Sequence, residues 1–394
     1  MLSSLKPSPA DPILQIIAEF QADPRPNKID LGVGVYKDDS GLTVIPKAVK
    51  LAEARILESQ DTKSYLGLLG DVGFASLMSG LVLGDAAPKG RVSAIQTAGG
   101  GGALFILLDL ARQANPDLTL WVSTPTWGNH HAIAGGLGLK TKPYAYFNPE
   151  TRAVEAEKMF ADLKAAGPND VVLIHGCCHN PTGTNLSLAE WEQLTEMAQA
   201  QGFLPMIDTA YQGFGDGLDE DAAGLRHMAA RVPEMLIAAS CSKNFALYRD
   251  RTGCAMVISA DETASSVAEA NLKTLMRITI SMPPDHGAAI VRTILSDDEL
   301  KTVWNDELTA MRTRMLSLRQ SLAEAMRTRT NSDRFDFIAD HRGMFSLMGA
   351  TPEQIAKLRD DFAIYAISDS RINIAGLIEG RIDEIADAFA SVGI

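Results

Sequence analysis

Through the first three quarters of the chain, short apolar runs that end in polar residues alternate with segments of helical spacing, and this alternation restricts the fold more than any other feature. Leu118-Thr119-Leu120-Trp121-Val122-Ser123, Val171-Val172-Leu173-Ile174-His175 and Leu204-Pro205-Met206-Ile207-Asp208 are such runs, and residues 154–166 and 187–201 carry the helical spacing between them. Strands that are apolar almost throughout are covered on both faces, which happens when helices cross over between parallel neighbours. Ligands in such sheets bind beyond the carboxyl ends of the strands. The polar residues that close the runs are therefore the first places to look for a site.

A chain of 394 residues exceeds what one hydrophobic core usually serves, so two domains are expected. Residues 297–329 are charged, free of Gly and Pro, and carry Leu300, Val303, Trp304, Leu308, Met311, Met315, Leu318, Leu322 and Met326 at helical spacing, which predicts a long amphipathic helix connecting the domains. From residue 335 onward short strands and helices mix, and this part is expected to join the N-terminal segment as a smaller domain. No internal repeat or low-complexity segment occurs.

With 46% apolar and 22% charged residues the chain has an ordinary globular composition. Its net charge of −13 argues against general nucleic-acid or anionic-membrane binding, which needs a basic surface. A small anionic substrate stays admissible, because local arginines in a desolvated cleft outweigh a field screened beyond roughly 8–10 Å. Lys6, Pro7, Pro9, Asp11 and Pro12 interrupt any apolar stretch at the start, and no uncharged apolar run approaches the ~20 residues that span a bilayer. Four cysteines, Cys177, Cys178, Cys241 and Cys254, suggest no disulfide framework. These features together lead us to expect a cytoplasmic protein.

Lys243 stands in Ser240-Cys241-Ser242-Lys243-Asn244-Phe245-Ala246-Leu247-Tyr248-Arg249-Asp250-Arg251. A lysine set among Ser, Asn and aromatic residues, with an arginine close by for an anion, has the setting that a Schiff-base lysine requires, since a nucleophilic amine must be desolvated or placed near another cation. Most lysines are solvated surface charges, so this segment needs support from elsewhere in the chain. Gln96-Thr97-Ala98-Gly99-Gly100-Gly101-Gly102 precedes the apolar helix-like Ala103–Leu108 stretch, and glycines opening a helix let backbone N–H groups approach a phosphate; a merely flexible loop is the competing reading. His175-Gly176-Cys177-Cys178-His179 resembles a metal cluster in composition only, because no second ligand pair follows at zinc spacing, and no metal is expected. Asn180-Pro181-Thr182-Gly183 reads as a turn that aims an amide into a cleft. Asp208 ends an apolar strand, where it either caps the next helix or meets a buried cation such as a protonated pyridine nitrogen. Ser240-x-x-Lys243 also matches penicillin-binding enzymes, but the Lys-Thr-Gly that accompanies it there is missing from the chain.

The glycine stretch, Asn-Pro-Thr-Gly, Asp-x-Ala-Tyr and Ser-x-x-Lys-Asn-Phe follow one another as in the fold-type I, pyridoxal-phosphate-dependent aminotransferases. More narrowly, the chain resembles the class I aspartate and aromatic (tyrosine) aminotransferases over essentially its whole length. Leu31-Gly32-Val33-Gly34-Val35-Tyr36-Lys37-Asp38, Trp127-Gly128-Asn129-His130, Ala210-Tyr211-Gln212-Gly213-Phe214, Gly343-Met344-Phe345-Ser346 and Ser370-Arg371-Ile372-Asn373-Ile374-Ala375-Gly376 carry the likeness further. It implies an α/β fold with a mainly parallel seven-stranded sheet between helices, plus a smaller α+β domain built from both termini. The corresponding division is an N-terminal arm and part of the small domain in 1–42, a large cofactor-binding domain in 43–310, and a small C-terminal domain in 311–394.

The resemblance also implies roles. Lys243 would hold pyridoxal 5'-phosphate as a Schiff base and shuttle a proton, with Asp208 keeping the pyridine nitrogen protonated and His130 behind it. Tyr211 and Asn180 would bond the ring hydroxyl oxygen, and Trp127 would stack on the ring. Gly100, Gly101, Ser240 and Arg251 would bind the phosphate, joined by Tyr65 from a partner subunit, which implies a homodimer with shared active sites. Arg371 would take the substrate α-carboxylate, Arg277 a side-chain carboxylate across the dimer, and Gly34 and Phe345 would line the substrate. The implied reaction is ping-pong transfer of an amino group between aspartate or aromatic amino acids and 2-oxoglutarate. A transaminase of altered specificity, a lyase or decarboxylase on the same cofactor, and the ligand-sensing part of a transcription regulator are the alternatives. The last needs a DNA-binding segment ahead of the match, and the match begins near Asp11-Pro12-Ile13-Leu14 in an acidic chain. Gly101 stands where the family usually has Thr, Phe105 where Arg is common, and Ala246 where Gly is usual. Ile280 and Met282 replace polar residues near Arg277 and make that pocket more apolar.

Overall fold

The computed structural model describes residues 2–6 and 12–394. Part of the expected N-terminal arm, and Pro7, Pro9 and Asp11 on which the reading of the chain's start depends, lie outside the described residues. Two compact units form, one from Val44–Arg314 and one from the residues up to Thr43 together with Met315–Ile394.

The larger unit is built on a seven-stranded sheet whose strands are β1 (Val92–Ala98), β2 (Thr119–Thr124), β3 (Lys140–Ala145), β4 (Asp170–His175), β5 (Leu204–Thr209), β6 (Met235–Ser240) and β7 (Thr252–Ile258). Their spatial order is β1-β7-β6-β5-β4-β2-β3. Neighbours from β6 through β3 run parallel, and β7 runs antiparallel to both β1 and β6. This is the mostly parallel α/β sheet that the alternating runs predict, and the three runs quoted above each became a strand. Thr252 at the start of β7 is level with Ala98 at the end of β1, and Gly253 is level with Ser240 at the end of β6. One edge of the sheet therefore gathers the carboxyl ends of the other strands and the amino end of β7. Every residue of β6 and β7 is buried, as expected for strands covered on both faces.

Helices follow the strands. Leu188–Gln201 opens on a reciprocal capping box between Ser187 and Glu190 and stops at Gly202, in the left-handed region at φ 78°. Asp298–Thr330 is a continuous helix of 33 residues, close to the predicted 297–329, with acidic Asp298 and Glu299 in its first turn and Arg327 and Arg329 in its last, each placed favourably for the helix dipole.

In the smaller unit Ile29–Asp30 pairs in parallel with Ile364–Tyr365, and Phe345–Leu347 pairs antiparallel with Arg371–Asn373. Its core joins Ile29 and Leu31 to Leu318, Leu322, Met326, Ile364, Ile372 and Phe389. Fully burying each such side chain is worth about 1.5–3 kcal/mol. That burial ties the N-terminal segment to the C-terminal one. No helix among the described residues is long and apolar enough to cross a membrane.

Candidate active site

Phosphate-binding chemistry is available where β1, β6 and β7 meet. The helix Gly99–Ala114 starts on the glycines themselves, and Ala98 before it makes no side-chain cap, so its first N–H groups remain available to an anion. Gly99 has φ +73°, and a Cβ there would lie 2.6 Å from Arg251 Nη2, while one on Gly100 would lie 2.9 Å from Ser240 Cβ. Glycine is thus required for the loop to close on Ser240 and Arg251. Uncapped N–H groups, a hydroxyl and a guanidinium form a donor set that fits a phosphate. A Cβ on Gly101 would meet only Asn129 Nδ2, at 3.9 Å. Nothing steric therefore excludes the hydroxyl-bearing residue usual at that position.

On the same edge Asp208, at the end of β5, is 7% exposed, and its Oδ2 lies 3.0 Å from His130 Nε2. Burial alone would raise the Asp208 pKa, but the hydrogen bond and charge of His130 and the charge of Lys243 outweigh it and hold the carboxyl below its ordinary value. An ionised Asp208 only accepts, so His130 donates from Nε2–H, and its Nδ1 lies 2.8 Å from Thr126 Oγ1 on the other side of the ring. The reading of Asp208 as a simple helix cap is not what the structure shows.

Behind this pair lies His175, buried, with its ring 5.1 Å from that of His130 and 4.0 Å from that of His179. Neither of its ring nitrogens has a hydrogen-bond partner among the described residues. Burial first, and the neighbouring His130 second, push its pKa down to about 3. Below an ordinary histidine value near 6.5 the unfolded chain takes up a proton that the folded chain refuses until about pH 3, so His175 costs stability progressively as pH falls through that window. His175→Gln is accordingly expected to lose less stability than wild type between pH 6.5 and 5, by about 2 kcal/mol at most, in urea unfolding at the two pH values. Equal losses would show that His175 is not held neutral.

Lys243 is half-buried in the turn after β6, and its Nζ lies 4.9 Å from the centroid of the Tyr211 ring. Ala246 N donates to Lys243 O at 2.9 Å to close the turn, at φ 53°. That left-handed conformation costs an alanine about 1–2 kcal/mol and suits the glycine usual there. Trp304 Nε1 donates to Asn244 O at 2.8 Å, and its ring stacks on Phe245 with centroids 4.5 Å apart. The lysine turn is therefore clamped from the long helix. Tyr211 and Asn180 are both buried, and the Asn180–Pro181 peptide bond is cis. Trp127 packs edge-on against His130, with centroids 5.4 Å apart.

The larger unit thus brings Gly100, Gly101, Trp127, His130, Asn180, Asp208, Tyr211, Ser240, Lys243 and Arg251 to one sheet edge. It does not pack Tyr65 and Arg277 into that group. Tyr65 is 91% exposed, and Arg277 is exposed in the last turn of Glu262–Thr279. Leu66 N donates to Met282 Sδ at 3.2 Å, which places the Tyr65 segment beside the turn that follows Arg277.

In the smaller unit Gly34, Phe345 and Arg371 come together. A Cβ on Gly34 would lie 2.7 Å from Phe345 Cζ, so only glycine fits. The Arg371 guanidinium sits 4.3 Å from the Phe345 ring centroid, and Nη2 donates to Gly32 O at 3.1 Å. Arg371 is 5% exposed, and a guanidinium presents donors in the paired geometry that a carboxylate accepts.

Positioning residues escaped the motif reading. Arg319, fully buried, donates to Ser346 Oγ at 2.8 Å and Phe345 O at 2.7 Å, and so fixes the strand that carries Phe345. An arginine in a charged amphipathic stretch gives no signal of this. Among the described residues two groups of three donor atoms lie within 4.8 Å, His130/His175/Asp208 and Cys177/Cys178/Asp221. Asp208 in the first is bonded by His130, and Asp221 in the second by three backbone N–H groups.

The model of the aminotransferase class I and II family matches residues 26–389. The chain is 52% identical to the aromatic-amino-acid aminotransferase of Paracoccus denitrificans and 40% identical to the aspartate aminotransferase of Escherichia coli, each alignment covering 100% of both chains. It superposes with a TM-score of 0.97 on the crystal structure of an aromatic-amino-acid aminotransferase from Burkholderia pseudomallei covalently bound to pyridoxal phosphate, at 38% identity over 100% of this chain and 99% of that one. With the family model spanning most of the chain and both relatives matching it from end to end, the chain is a member of the class I and II aminotransferases.

Proposed function

We propose that the protein is a pyridoxal 5'-phosphate-dependent aminotransferase that exchanges amino groups between aspartate or aromatic amino acids and 2-oxoglutarate in a ping-pong cycle. The observation that carries this reading is the placement of Lys243 beside Tyr211 on the same sheet edge as the buried Asp208–His130 pair and the Gly100–Ser240–Arg251 cradle. When bound, the cofactor supplies an electron-withdrawing ring that stabilises negative charge at the substrate α-carbon.

The chain's own residues do the rest. Gly100, Gly101, Ser240 and Arg251 hold the phosphate, and Tyr65 of the partner subunit adds to it. Asp208 holds the proton at the ring nitrogen, with His130 orienting it. Tyr211 and Asn180 donate to the ring hydroxyl oxygen, and Trp127 covers the ring face. Lys243 Nζ would hold the cofactor and would move the proton at the substrate α-carbon. Arg371 takes the α-carboxylate in a bidentate pair, Gly34 and Phe345 bound the substrate, and Arg277 of the partner subunit meets a side-chain carboxylate.

In this reading Val44–Arg314 is the cofactor-binding domain and the other unit the small domain. A homodimer is supported by the exposed apolar residues Tyr65, Leu66, Ile278 and Ile280 next to the two residues expected to act across it. A cytoplasmic setting is supported by four buried cysteines that form no disulfide. Ile280 and Met282 favour an aromatic substrate, and Arg277 a dicarboxylate.

The test is to titrate the purified holoenzyme with each amino acid and follow loss of the lysine-bound chromophore. Aspartate and phenylalanine are each expected to discharge it, and 2-oxoglutarate to restore it. Arg277→Ala is expected to lose the aspartate reaction and keep that of phenylalanine. Failure of every amino acid sinks the transaminase reading, and turnover without an oxo acid points to a lyase.

A further inference from the structure

We propose that Asp221 is the positioning residue for Tyr211. The segment that follows Tyr211 departs at once from regular structure: Phe214 N donates back to Tyr211 O at 2.9 Å, and Gly213 has φ +94°. Such a turn presents several backbone N–H groups to one point, and what occupies that point decides whether the turn is held. Here it is a single buried carboxylate. Asp221 Oδ2 accepts from Gly213 N at 2.8 Å and from Gly215 N at 2.9 Å, and Oδ1 accepts from Asp216 N at 2.8 Å. Asp221 is 8% exposed, so these bonds are little diluted by water.

The outside of the turn is held as well. Arg312 Nη1 donates to Gly213 O at 3.1 Å, and Gln212 Nε2 donates to Leu81 O and Leu218 O, each at 3.0 Å. Leu308 packs where a Cβ on Gly213 would stand, at 2.6 Å, and Asp221 itself packs where one on Gly215 would stand. The first bonded N–H lies two residues after Tyr211, so the carboxylate sets the backbone from which the phenol projects. Asp221 also has Cys177 and Cys178 donor atoms within 4.8 Å, on the segment that leads to Asn180. One carboxylate therefore bonds the loop that carries Tyr211 and lies near the loop that leads to Asn180, the two side chains proposed to bond the ring hydroxyl oxygen. Asp221 acts through Tyr211.

This inference rests on the proposed contact between Tyr211 and the cofactor, and the experiment separates the two. Holoenzyme is prepared as wild type, Tyr211→Phe, Asp221→Asn and the double variant, and the pH midpoint of the visible absorbance of the lysine-linked cofactor is measured. A donor to the ring oxygen weakens that oxygen's hold on the proton at the lysine nitrogen, so Tyr211→Phe is expected to raise the midpoint by roughly one pH unit. An amide in place of the Asp221 carboxylate keeps the shape but offers an NH2 where an acceptor is needed, so Asp221→Asn is expected to raise it by roughly half a unit. The double variant is expected to match Tyr211→Phe alone. If Tyr211→Phe shifts the midpoint while Asp221→Asn leaves it in place, or if the two shifts add in full, the inference is overturned and the Tyr211 contact stands. If Tyr211→Phe shifts nothing, that contact fails and the inference with it. Should Asp221→Asn not fold, Gly215→Ala displaces the same carboxylate and is held to the same half-unit shift.

Discussion

Lys243→Ala is expected to reduce transamination by on the order of 10⁴-fold or more while the far-UV circular dichroism stays that of wild type. The two parts of this expectation have separate causes. Lys243 is held by its turn and not the reverse: Trp304 bonds Asn244 O, Phe245 stacks on Trp304, and Ala246 N closes on the backbone oxygen of Lys243, so truncating the side chain removes none of these contacts. The loss of rate comes from removing a nucleophile and a proton carrier together, and proton transfer alone is worth roughly 10²–10⁴-fold. The measurement pairs single-turnover rates with the visible spectrum, which should lose its lysine-linked band even if cofactor stays in the Gly100–Ser240–Arg251 cradle. Retention of more than about 1% of wild-type rate would remove Lys243 from the centre of the mechanism.

What could be read from the chain and what could not follow from how local each cause is. β4 and β5 announce themselves because a strand buried on both faces needs an unbroken apolar run, and the break at His175 and Asp208 marks the sheet edge at which ligands of such sheets bind. The long helix is equally plain, since its periodicity is written in consecutive residues. Gly99 and Gly100 were legible as the opening of a helix, but their necessity lies in Arg251 and Ser240, more than a hundred residues away, which the turn between β6 and β7 brings onto them. The bonds made by Arg319, Trp304 and Asp221 had no signature at all. Arg319 and Trp304 work by bonding the backbone of a distant segment and Asp221 by bonding that of the turn just before it, and a backbone acceptor or donor leaves no mark on the residue type that carries it. The protonation state of His175 was hidden for a related reason, since a histidine in an HGCCH run says nothing of the depth at which the sheet will bury it.

Asp208→Asn should be the second most damaging change, lowering kcat by roughly 10²–10³-fold with little change in global fold. Asn has nearly the shape of Asp, and its amide oxygen still accepts from His130 Nε2, so the hydrogen bond seen at 3.0 Å survives. What disappears is a fixed negative charge in a buried site, where preorganised electrostatics are worth about this factor. The pH dependence supplies a control. The Asp208 carboxyl is held below its ordinary value, so it is already ionised through the neutral range, and its charge is lost only as pH falls through that lowered value. Any activity loss in wild type between pH 8 and 5 therefore has another source, and the Asn variant should show the same limb at a uniformly lower rate. His130→Ala should cost less than Asp208→Asn, because Lys243 still favours the carboxylate when the histidine is gone. The reverse order, with His130 the costlier loss, would mean that the pair works through its histidine and that the carboxylate is only its anchor.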